Sequence, residues 1–222
     1  TSTATKEISI AVTDIDDNTL SVADSNSATN TIAENASSGT TVGVTALGTD
    51  ADYGTSIAYD FTSNPSDLFA IDASTGVITL AAGKTLDYES AQSHTVKVRA
   101  TSTDSNGDTS TATKEISIAV SDVNDIKPVI DDQIVTVKEN VAAGTAFLNI
   151  NDSSQDDDVD AENNDLSYTI QSGNTDNLFQ IDTDTGELSI ASGQSLTYVE
   201  GGSNQYILVV QASDGALTDT AN

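Results

Sequence analysis

The sequence predicts an all-β chain built as two tandem antiparallel β-sandwiches of Greek-key type, with about seven strands each. Three observations carry this. Short runs such as Glu115-Ile116-Ser117-Ile118-Ala119-Val120 alternate polar and apolar residues, the period of a half-buried strand, and no stretch keeps a helical period. Turn chemistry separates the runs, as in Asp72-Ala-Ser-Thr-Gly76 and Asp182-Thr-Asp-Thr-Gly186, where glycine accepts a positive φ. Residues 1–12, Thr-Ser-Thr-Ala-Thr-Lys-Glu-Ile-Ser-Ile-Ala-Val, recur without change at 109–120. A repeat of that period is one whole domain, not a solenoid turn.

The elements follow in order. Alternation places strands of the first repeat near 19–23, 40–47, 56–61, 69–71, 77–80, 93–101 and 111–121. In the second repeat they fall near 132–137, 145–150, 165–171, 178–181, 187–190 and 204–212. Residues 1–17 read as the last strand and linker of a preceding repeat, 18–125 as repeat 1, and 126–222 as repeat 2, which lacks its last strand in this alignment. A sandwich short of an edge strand exposes unpaired backbone. Either residues 4–12 of one molecule complete repeat 2 of the next, as in donor-strand addition, or that edge is simply frayed; a monomer with residues 1–12 disordered would exclude the first.

Charge narrows the partners. Seven Lys plus Arg stand against 35 Asp plus Glu, a formal net charge of −28. Nucleic acid and anionic membrane surfaces are repelled, and divalent cations are favoured. With no Cys, disulfide staples and zinc sites of the usual kind are excluded. No apolar run approaches the roughly 18 residues that span a bilayer, so direct membrane insertion is not expected. Catalysis has no support. The single histidine, His94, has no nucleophile motif near it, and there is no phosphate loop or Gly-x-Ser-x-Gly elbow. Paired carboxylates would suit a glycosidase, but six Tyr, four Phe and no Trp make a poor sugar groove. The chain is not expected to be an enzyme.

Between the repeats lies Asp122-Val123-Asn124-Asp125-Ile126-Lys127-Pro128. A flexible linker would carry Gly and Ser. Carboxylates at a short junction repel one another unless a cation sits among them. Further oxygen donors recur in both repeats: Glu34 with Glu139, Asp50/Asp52 with Asp158/Asp160, and Leu86-Asp87-Tyr88-Glu89 with Leu196-Thr197-Tyr198-Val199-Glu200. Asp214 stands in Ala212-Ser213-Asp214. For Asp72, Asp182 and Asp184, capping of turns is expected instead.

In their order, these motifs resemble the calcium-binding set of the extracellular cadherin repeat. That family carries an early Glu, Asp-x-Asp, Leu-Asp-Arg-Glu, Ala-x-Asp and a linker Asp-x-Asn-Asp, and here Tyr88 replaces the Arg. The resemblance covers nearly the whole chain and implies an immunoglobulin-like sandwich of cadherin type. It further implies about three Ca2+ ions at the junction, held by Glu34, Asp87 and Glu89 of repeat 1. The linker would add Asp122, Asn124 and Asp125 with the carbonyls of Val123 and Ile126, and repeat 2 would add Asp158, Asp160 and Asp214. A weaker half-site for one ion is implied at the amino end by Asp14, Asp16, Asp17, Asp50, Asp52 and Asp104, although Asp104 falls two residues later than the motif expects. Thr197 in the place of Asp87 implies a poorer site at the far end of repeat 2. The function implied is a calcium-stiffened module of a secreted or cell-surface adhesin, bacterial by its turn-rich, Lys-poor composition. Its partners would be calcium, neighbouring repeats of the same chain and a second copy. The alternative is a calcium-dependent carbohydrate-binding accessory module of a secreted polysaccharide-active protein.

Overall fold

The computed structural model describes residues 1–12, 18–51, 54–150 and 166–221. The chain divides into two compact units, Thr1–Ser121 and Asp122–Asn222. Both are all-β; the described residues hold only two short 3-10 turns, Pro65–Asp67 and Thr175–Asn177.

In the first unit β1 (Ser21–Asp24), β3 (Thr41–Thr49), β6 (Val77–Leu80) and β5 (Phe69–Ile71) make one sheet in the order β1-β3-β6-β5. The other has the order β2-β8-β7-β4, from β2 (Thr31–Ala33), β8 (Thr109–Ser121), β7 (Ser93–Thr103) and β4 (Ser56–Ser63). Pairing is antiparallel except between β2 and β8, which run parallel with Thr31 opposite Ala119 and Ala33 opposite Ser121. The predicted alternation sets the core. Ile116, Ile118 and Val120 of β8 face inward with Val96, Val98 and Ala100 of β7. Val42, Val44 and Ala46 of β3, with Ile78 and Leu80 of β6, meet them from the opposite sheet.

The twin segment 1–12 behaves otherwise. It forms no strand, and its Ile8, Ile10 and Val12 are 78%, 83% and 93% exposed. Identical residues thus adopt the strand only where ladders flank them, as expected when β propensity reflects packing more than backbone preference.

The second unit has β9 (Ala146–Asn149), β10 (Ser167–Ser172), β11 (Phe179–Ile181), β12 (Glu187–Ile190), β13 (Val209–Ser213) and β14 (Thr218–Ala221). They form two three-stranded sheets, β11-β12-β9 and β10-β13-β14. One core cluster surrounds Tyr168 with Ile130, Ile150 and Val210; another holds Leu178, Phe179, Leu188 and Ile190.

Three expectations are corrected. Where repeat 2 was expected to lack its last strand, the four-residue β14 pairs antiparallel with β13 from Ser213 opposite Thr218 to Val210 opposite Ala221, in the place where β8 of repeat 1 runs for 13 residues. Residues 132–137 form no strand despite their alternation, and Ile134 is fully exposed. The corresponding β2 of repeat 1 exists by pairing with the end of β8, whereas β14, among the described residues, pairs with β13 alone. The strand expected over 204–212 starts only at Val209. Just before that start Gly173, at φ +83°, approaches so closely that a Cβ there would lie 1.8 Å from the Ile207 carbonyl oxygen. That contact coincides with a register shift between Ile170 and Ser172 that ends the β10–β13 ladder at Val209.

Candidate metal centre

Among the described residues Glu34, Asp87 and Glu89 form a three-carboxylate group, one oxygen of each lying within 4.8 Å of the others. Each is placed by a neighbour that the fold fixes. Glu34 follows β2 directly, and its N–H donates to Ser121 O at 3.1 Å, extending the parallel pairing with β8. Only 5% of Glu34 is exposed, and its Oε2 accepts the Tyr88 N–H at 2.7 Å. Leu86 anchors the following segment in the core, so Asp87, Tyr88 and Glu89 are presented beside Glu34. The Asp87 carboxylate accepts the Ser90 N–H at 3.0 Å and the Ser90 hydroxyl at 2.7 Å. Three like charges this close repel unless a cation balances them. Their all-oxygen chemistry fits a hard divalent ion such as calcium, which takes carboxylates at about 2.3–2.6 Å.

The linker residues Asp122, Val123, Asn124, Asp125 and Ile126 open the second unit. There the Asn124 side chain hydrogen-bonds Asp214, a carboxylate only 5% exposed. Asp214 Oδ1 also accepts the N–H groups of Ala216 (2.7 Å) and Leu217 (2.6 Å), closing the β13–β14 turn. Lys127 Nζ lies 2.9 Å from Asp219 Oδ1, and the Ile130 N–H donates to the other oxygen at 3.2 Å. The segment after the linker is therefore held to that hairpin by charge and by the burial of Ile130.

Repeat 1 departs from repeat 2 at this position. Tyr59 sits opposite Ala100 and Tyr168 opposite Ala212, which makes Ser102 the register counterpart of Asp214. Ser102 is 2% exposed, and its hydroxyl has no hydrogen-bond partner among the described residues. The β7–β8 ladder continues to Thr103 opposite Thr109, pushing Asp104 two residues outward into the turn. There its Oδ1 accepts the N–H groups of Asn106 and Asp108, both at 2.8 Å, and its Oδ2 accepts the Asn106 amide at 3.1 Å. Asp50 Oδ2 accepts the Ser110 hydroxyl at 3.3 Å. Asp50 and Asp104 join no three-carboxylate group among the described residues. Sequence spacing alone located Asp104 and missed Ser102, because only strand register shows which residue replaces the carboxylate. Asp14, Asp16, Asp17, Asp52, Asp158 and Asp160 lie outside the described residues.

In repeat 2, Glu139 Oε2 accepts the Tyr198 N–H at 3.1 Å, as Glu34 does from Tyr88. Thr197 and the inserted Val199 then leave no three-carboxylate group there among the described residues. Asp72, Asp182 and Asp184 mark turns: Asp72 Oδ1 accepts the Ser74 and Thr75 N–H groups, and Asp182 Oδ1 those of Asp184 and Thr185.

Several carboxyls are held below the ordinary range near 3.9. For Asp87 the Ser90 hydroxyl does most, then the Ser90 N–H. For Asp104 and Asp214 burial pushes upward most strongly, but the N–H donors of their turns together outweigh it. For Asp219 the Lys127 ammonium dominates. A carboxyl depressed on folding stabilises the native state above its unfolded pKa and loses that contribution as pH falls through the native one. Melting temperature measured in chelator should therefore be level near neutrality and fall below about pH 4. A melt unchanged at about pH 3 would show that these turn carboxylates contribute nothing to stability.

A sequence model of the cadherin domain matches residues 28–119 and 133–222. Human Protocadherin Fat 4 is 38% identical over 163 residues, 72% of this chain and 3% of that protein. Human Cadherin-23 is 31% identical over 189 residues, 84% of this chain and 5% of that protein. The chain thus spans only a few per cent of these relatives, which are animal proteins and give no support to the bacterial origin expected from composition. Among solved structures, mouse Cadherin-23 EC22-24 superposes with a TM-score of 0.70 at 24% identity, covering 94% of this chain and 64% of that one. Mouse clustered PcdhgC3 EC1-3 gives 0.71 at 25%, covering 95% and 67%. Two matched domains in tandem, on a fold shared with cadherin ectodomains, place this chain in the cadherin family.

Proposed function

We propose that the chain is a calcium-binding tandem module of an extracellular, cell-surface adhesive protein, with the acidic linker as its metal-dependent hinge and no enzymatic role. The observation that carries this is the Glu34, Asp87 and Glu89 cluster, three carboxylates, the first buried and the other two exposed, gathered within 4.8 Å. Calcium would supply the positive charge that lets such groups share one site. Glu34, Asp87 and Glu89 are the first-repeat ligands; Asp122, Asn124 and Asp125, with the carbonyls of Val123 and Ile126, are those of the linker. Asp214, Asp158 and Asp160 are those of the second repeat, and the set suits about three ions. A looser amino-terminal site would draw on Asp14, Asp16, Asp17, Asp50, Asp52 and Asp104, weakened by Ser102 where the second repeat has Asp214. Among the described residues no helix is long and apolar enough to cross a membrane.

Calorimetric titration with calcium, paired with small-angle scattering in calcium and in chelator, tests this. Tight binding of two or three ions with a narrowed range of shapes is expected. No heat and an unchanged envelope would leave the linker as solvated charge. Sedimentation in the same buffers reads self-association, a homophilic role being expected to need calcium.

A further inference from the structure

The turn between β7 and β8 holds the only Asn-Gly pair in the chain, Asn106-Gly107. Both residues are exposed, Gly107 has φ +92°, and nothing lies within 4 Å of where a Cβ would stand. Asparagine followed by glycine is the pair most open to attack by the following backbone nitrogen on the side-chain amide, because glycine has no side chain to obstruct ring closure. Here both reacting groups are engaged. The Asn106 amide donates to Asp104 Oδ2 at 3.1 Å, and the Gly107 N–H donates to the Asp104 carbonyl at 3.2 Å. The matching turn of repeat 2, Asp214-Gly215-Ala216-Leu217, has no asparagine.

We propose that Asn106 is a site of spontaneous deamidation whose rate is set by the Asp104 clasp, and that the product opens this turn. The Gly107 nitrogen, losing its proton, bonds to Cγ of Asn106 and ammonia leaves, giving a five-membered imide. Water then opens the imide at either carbonyl, yielding an aspartyl or an isoaspartyl residue. Either product replaces a donor to Asp104 Oδ2 with a carboxylate, so an attraction becomes a like-charge repulsion. The isoaspartyl form also lengthens the backbone by a methylene, which misplaces the N–H groups of residues 106 and 108 that Asp104 now accepts. The chain gains one negative charge at the end of repeat 1 where Ser102 stands in for a carboxylate.

The test incubates the full chain at mildly alkaline pH, natively and in urea, and quantifies aspartyl and isoaspartyl products by peptide mass spectrometry and isoaspartyl methyltransferase labelling. Product should appear at Asn106 ahead of every other asparagine. It should form roughly five- to thirtyfold faster in urea, the factor that one or two hydrogen bonds set. Native Asp104→Ala should approach the urea rate, and Asn106→Gln should give no product at this position. The native-to-urea comparison needs no variant, so misfolding of Asp104→Ala cannot rescue the idea. Absence of product at Asn106 in the native wild type, or equal native and urea rates, would overturn it.

Discussion

Glu34→Gln should leave the calcium-free chain as stable as the wild type, or more so, while removing most of its stabilisation by calcium. The amide keeps an oxygen to accept the Tyr88 N–H, so the buried hydrogen bond at 2.7 Å survives. What disappears is one of three negative charges within 4.8 Å of each other. Relief of that repulsion favours the variant in chelator. In calcium the sign reverses, because ligand charge sets affinity in such sites. A ligand at a hundred times its Kd stabilises a fold by about 2.7 kcal/mol, and a hundredfold weaker site at the same concentration retains about 0.4 kcal/mol. Thermal melts of both proteins, in calcium and in chelator, give all four numbers. Equal calcium responses would remove Glu34 from the metal site.

That cluster was legible in the sequence only through the order of its motifs. Nothing local to Glu34 announces a ligand, since its partners lie more than fifty residues on and meet it through β2, β8 and the Leu86 anchor. Strands β3, β7 and β8 were legible because long alternation encodes one buried face. β2 was not, for it exists through its parallel pairing with β8, a partner remote in sequence. The segment 132–137 misled for the converse reason: its alternation is real, but a strand exists only when something accepts its ladder. Register hid Ser102 in the same way. Counting along the chain finds Asp104, whereas pairing across the sheet finds the residue that occupies Asp214's place.

The sharpest test of context over local sequence uses two isoleucines with identical neighbours. Ile118 lies toward the carboxyl end of β8, fully buried and opposite His94 of β7. Ile10 occupies the same position in the first copy of the dodecapeptide and is 83% exposed. Ile118→Ala removes three side-chain carbons from a packed core and should cost about 2–5 kcal/mol, transfer and cavity terms together. In a domain of this size that lowers the melting temperature by roughly 10 °C or more, and confines the loss to the transition of repeat 1. Ile10→Ala should stay within about 0.5 kcal/mol of the wild type, as surface changes do. Calorimetric melts of the two variants in chelator decide between packing and sequence as the source of β8's stability. A large cost at Ile10 would mean that residues 1–12 are packed in solution. The melt would then depend on protein concentration if a second copy receives them, and would not if they fold back on their own chain.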